Sequence, residues 1–165
     1  MSLNLRMGGH LATRAQRRSV QGHPLLWPEW LLALATQYRE AARSLPSGEG
    51  PTLFWPKYHA LGHSVELVLK GFLARKRMTE DELRNLGHHI RPLLKEAMGK
   101  GLDLPRRTRW TIALMDDMHA EHWARYPKNH AAPVLVIDQF FPAVDELFET
   151  VKVRTGQGWA PWVKI

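Results

Sequence analysis

Residues 59–74 read HALGHSVELVLKGFLA, and this stretch decides the fold. At 100° per residue Leu61, Val65, Val68, Leu69 and Phe72 fall on one side of a helix, a stripe wide enough to bury. His59, His63, Glu66 and Lys70 recur at spacings of four, three and four, and line the opposite side. Glu66 precedes Lys70 by one helical turn, the favourable order for an ion pair of about 0.2–0.5 kcal/mol. Two readings of this polar stripe stand open. It is a solvated face, or the long helix that follows lies across it and makes Glu66–Lys70 a partly buried pair that sets the bundle's register.

Outward from this spine the chain punctuates itself into helices. Pro28 suits the first turn of a helix over about 28–45, with Trp30, Leu31, Leu34, Ala35, Tyr38 and Ala42 on its apolar face. The run Pro46-Ser47-Gly48-Glu49-Gly50-Pro51 is loop chemistry. Thr79 and Glu82 form a capping box, opening a short helix that stops at Gly87. His88 or His89 starts the next helix, with Ile90, Leu93, Leu94 and Ala97 inward and Gly99 as its stop. Pro105 opens one long helix that ends before Pro127. Residues 134–137 suit a short extended piece, and a last helix runs from about Asp138 to Val153 with Pro142 in its first turn. The expected class is therefore all-α, an antiparallel helical bundle over residues 25–155. A flexible basic arm over 1–24 precedes it, and a surface-lying tail over 156–165 follows.

Composition limits the function. With 165 residues and 44% hydrophobic content the chain suits one globular domain. No apolar run reaches the roughly 20 residues of a membrane span, and the first residues lack a secretory signal's apolar core. The absence of cysteine excludes disulfides and thiol catalysis, and suits a cytoplasmic setting. Of the net charge of +7, the arm holds +4 through Arg6, Arg14, Arg17 and Arg18, while the other 141 residues set 19 basic against 16 acidic side chains. No glycine-rich phosphate loop or GxSxG elbow is present, and one short extended piece cannot make a doubly wound sheet, which removes nucleotide hydrolysis and dehydrogenase chemistry.

Nine histidines raise the question of a metal. His59 and His63 are one turn apart with Glu66 on the same face, His119 and His122 are three apart, and His88 and His89 are adjacent. No third ligand is fixed by spacing. These histidines read as surface or interface residues, with His88 as a helix cap, and no metal or cofactor is expected. Arg75-Lys76-Arg77 and Arg106, Arg107, Arg109 could flank an RNA groove; helix-end and ordinary surface charge is the plainer reading. Trp110, Met115 and Met118 read as core or dimer-interface residues.

Tyr58-His59-Ala60-Leu61 through Glu66-Leu67 and Leu69-Lys70, then the capped turn, Leu86-Gly87-His88, Leu93-Leu94, Ala97 and Ala124-Arg125-Tyr126-Pro127, together resemble HEPN domains over residues 28–153. The resemblance implies a bundle of antiparallel helices, a homodimer, and a toxin–antitoxin-like defence or stress setting. Active members are metal-independent endoribonucleases with an arginine followed, four to six residues on, by a histidine. Arg125 and His130, with four residues between them, are the candidate pair here. His130 would serve as general acid or base and Arg125 would hold the scissile phosphate. Tyr126 stands where a small polar residue often follows the arginine, and Pro127 interrupts helical presentation of the pair. The leading expectation is therefore a HEPN-like module with a degenerate site that binds RNA or a protein partner. The alternatives are an active ribonuclease and a purely structural dimerisation module.

Overall fold

The computed structural model describes residues 27–46, 54–120 and 136–156, and among them every regular element is helical. Helices α1 (Trp27–Ser44), α2 (Phe54–Arg75), α3 (Glu80–Asn85), α4 (Ile90–Gly99), α5 (Arg106–Ala113) and α6 (Asp116–Ala120) follow in order. A 3₁₀ turn (Ile137–Phe140) then leads into α7 (Phe141–Thr155). The all-α bundle read from the sequence is correct. None of these helices is long and apolar enough to cross a membrane.

The spine is α2, and it is enclosed by its neighbours. Leu61, Val65, Val68, Leu69 and Phe72 are buried as the stripe requires, but Ser64, Glu66 and Leu67 are buried too. The solvated-face reading of the second stripe is therefore overturned. A helix this thoroughly covered is a central element of the core.

Helix α1 lies antiparallel along α2: Glu29 pairs with Arg75 at 2.7 Å, Leu32 meets Gly71, and Tyr38 stands edge-on to His63. Gly71 permits this approach, since a Cβ there would come within 2.6 Å of the Leu32 side chain. The expected face of α1 holds at Ala35 and Ala42, which are buried, and at Leu31 and Leu34, which pack against the core. Two of its members are corrected: Trp30 and Tyr38 are exposed, and Leu32, fully buried beside Gly71, was not on the expected face.

The Thr79–Glu82 capping box forms as expected, with the Glu82 amide bonded to Thr79 Oγ1 and the Thr79 amide to Glu82 Oε2. Gly99 is still helical; the left-handed residue that ends α4 is Gly101, at φ 92°. In α7, Pro142 sits in the first turn and Phe141, Val144, Leu147, Phe148 and Val151 face inward, as the pattern predicts.

The expected long helix after Pro105 is instead two, broken at Leu114 and Met115. Tertiary hydrogen bonds account for the break. The Tyr58 hydroxyl donates to the Met115 carbonyl at 2.9 Å, and the Asp116 carboxylate accepts the Ile90 amide at the start of α4. Asp116 thereby satisfies a helix-start N–H that His89, the N-cap residue, leaves without a side-chain bond. The expected His88 cap is thus supplied from another helix. Burial and the nearby Asp116 and Asp117 charges push the Tyr58 phenol upward, so it remains a protonated donor.

Candidate functional site

Two regions hold chemistry. The first is centred on Glu66, which is 2% exposed and divides its two oxygens between different partners. Oε1 accepts Lys70 Nζ at 2.7 Å and His88 Nδ1 at 2.9 Å. Oε2 lies 2.8 Å from His119 Nε2 and 3.6 Å from His63 Nδ1. Because a carboxylate only accepts, the His88 and His119 nitrogens that face it carry protons. Burial alone would push the Glu66 carboxyl up; the hydrogen bond from His119, the nearby His63 imidazole, and the hydrogen bond and charge of Lys70 outweigh it and hold the group well below the usual carboxylate range. Glu66 and Lys70 form the partly buried pair that the second reading of the stripe required, and three histidines join it.

Local sequence explains the convergence. Turn spacing on α2 places His63, Glu66 and Lys70 on one side, and the break after Leu114 turns α6 so that His119 descends onto that side. Gly62 makes the descent possible: a Cβ there would lie 2.7 Å from His119 Nδ1. The His63 ring is held by Tyr38, edge-on at 4.5 Å between centroids, and by His59, parallel at 5.9 Å. His119, 5% exposed, is the partner that sequence reasoning missed. Its link to Glu66 spans 53 residues, and only the glycine at position 62 hinted that something large packs there.

The second region is a groove of about 480 Å³ between α4 and α5. Each helix contributes residues at the i, i+3, i+4, i+7 spacing of a single face: Arg91, Leu94, Lys95 and Met98 from α4, and Arg106, Arg109, Trp110 and Ala113 from α5. Four cations line it and no carboxylate does. Of the two places expected for Trp110, core or dimer interface, its 65% exposure removes the first, whereas Met115 and Met118 are buried in the core. Arg91 is held by Asp117 through bonds of 2.8 and 3.2 Å, while the Arg109 Nε is buried and makes no hydrogen bond among the described residues. Of the basic clusters singled out in the sequence, Arg106 and Arg109 line the groove; Arg107 and Arg75-Lys76-Arg77 do not.

Arg125 and His130 lie outside the described residues, as do His122 and the basic arm. His59, His63, Glu66, Lys70 and His88 are all placed, with His63, Lys70 and His88 around the Glu66 carboxylate. Comparison with protein-family models, with curated proteins and with solved structures gives no match.

Proposed function

We propose that this chain is a HEPN-like helical module that binds single-stranded RNA along the α4–α5 groove, without needing a catalytic site of its own. The observation that carries this reading is the pairing of four cations with one exposed tryptophan in a single groove. Cations track a phosphate backbone, and an aromatic face stacks a base whatever its identity. The buried, unbonded Arg109 Nε suits a phosphate oxygen as acceptor. Homodimerisation and the defence or stress setting come from the family resemblance. So does the ribonuclease alternative at Arg125 and His130.

The test is fluorescence anisotropy with a labelled, mixed-sequence single-stranded RNA over a range of salt. Trp110→Ala is expected to weaken binding by about 1–3 kcal/mol, the worth of one stacked base. Lys95→Gln with Arg106→Gln is expected to lower the slope of log K against log salt by about 0.7 per lost phosphate contact. Affinity unchanged in both variants would remove the groove from function, and tight binding of a protein partner in place of RNA would make this a protein-docking module. The same RNA, incubated with EDTA, reads the alternative: cleavage by wild type that vanishes in His130→Ala would establish the nuclease.

A further inference from the structure

The Glu66 centre has the composition and geometry of a metal site, a property independent of the groove and of RNA. His63, Glu66 and His119 each bring one ligand atom into a set lying within 4.8 Å of one another. Two ligands of a tetrahedral zinc, with bonds of about 2.0–2.1 Å, stand about 3.3 Å apart. The separations from Glu66 Oε2, 2.8 Å to His119 Nε2 and 3.6 Å to His63 Nδ1, bracket that value.

The remaining contacts are those that a metal-binding carboxylate uses. Lys70 and His88 occupy Oε1 and leave Oε2 turned toward the two imidazoles, so the oxygen aimed at the site is oriented by groups outside it. Glu66 and His119 are buried, and the His63 side chain, 24% exposed, stands where solvent reaches the set. Two nitrogens and one oxygen with one side open is the ligand number of three-residue zinc sites, in which water takes the fourth place.

We propose that His63, Glu66 and His119 bind one divalent transition-metal ion, with zinc the best match to two imidazoles and a carboxylate. On binding, the metal replaces the proton on His119 Nε2. The imidazole keeps or takes up a proton on Nδ1, and any excess proton passes to solvent.

Zinc titration of the full-length, chelator-stripped chain by calorimetry tests this, with cobalt(II) substitution to read coordination from its visible bands. Wild type is expected to bind one zinc per chain, and cobalt to give tetrahedral bands. Because His119→Ala opens a hole in the core and destabilises the fold whether or not it binds metal, the informative variant is His63→Ala, expected to weaken zinc at least tenfold while unfolding as wild type does without metal. His89→Ala, an exposed histidine outside the set, is the control and is expected to bind zinc as wild type does. No stoichiometric binding, or equal binding by wild type and His63→Ala, would overturn the proposal. Equal loss in His89→Ala and His63→Ala would also overturn it, by showing that the ion is taken up by histidines of the surface at large.

Discussion

The Glu66 centre and the α4–α5 groove treat charge in opposite ways. Around Glu66 one carboxylate is enclosed and answered by Lys70, His88 and His119 at hydrogen-bond distance. Along the groove the lining charges share one sign: Arg91 is answered by Asp117 from α6, but Lys95, Arg106 and Arg109 have no carboxylate in the lining and stand beside an exposed tryptophan. Enclosed, matched charge holds elements together; exposed, unmatched charge awaits something from outside. The two should therefore respond to different perturbations. Substitutions at the centre change stability, whereas substitutions in the groove change binding and leave stability within about 0.5 kcal/mol.

The sharpest way to break this contrast is Glu66→Ala. It leaves Lys70 and His119 beside an emptied site, and the expected loss is about 3–5 kcal/mol, the usual cost of removing one partner of a buried pair. Urea unfolding measures it, and a loss no greater than that of Trp110→Ala would erase the distinction between the regions. A smaller effect is expected from Gly62→Ala, whose added Cβ would meet His119 Nδ1 at 2.7 Å. Overpacking of this kind costs about 1–3 kcal/mol. The same glycine substitution in a Glu66→Gln background is expected to cost less, since His119 is then less tightly held, and the double-mutant cycle reports the coupling.

Acidity gives the mildest test. A carboxyl whose folded value lies below its unfolded one, 4.5, contributes stability that is complete above that pH and is lost as pH falls below it. Wild type should therefore lose urea resistance between about pH 5 and pH 3, and Glu66→Gln should show a shallower decline. Parallel curves would mean that Glu66 is not what acid attacks.

How much of this was legible depended on how far apart the partners lie in the chain. The Thr79–Glu82 box, the apolar stripe of α2 and the first-turn Pro142 are short-range patterns, and each stands where the sequence put it. The break at Leu114–Met115 was not legible. Its causes are Tyr58 and Ile90, which lie 57 and 26 residues from the atoms they bond. Trp30 was placed inward because periodicity alone cannot see that Gly71 opens a notch for Leu32. The groove had a local signal in two faces with the same spacing. It was masked because Arg106, Arg107 and Arg109 read as one run, although Arg107 does not line the groove.

Seen as chain connectivity, Glu66 is a pin through two loops, one of 22 residues closed at His88 and one of 53 closed at His119. Closing the longer loop costs only about 0.8 kcal/mol more than the shorter, because closure entropy grows with the logarithm of length. Length therefore does not decide which arm lets go first. Exposure does: the His88 side chain is 56% open to solvent and that of His119 only 4%. Water can replace His88 at Oε1 while the bond from Oε2 to His119 stays buried against α6, so the pin has an arm that can breathe and an arm that stays locked.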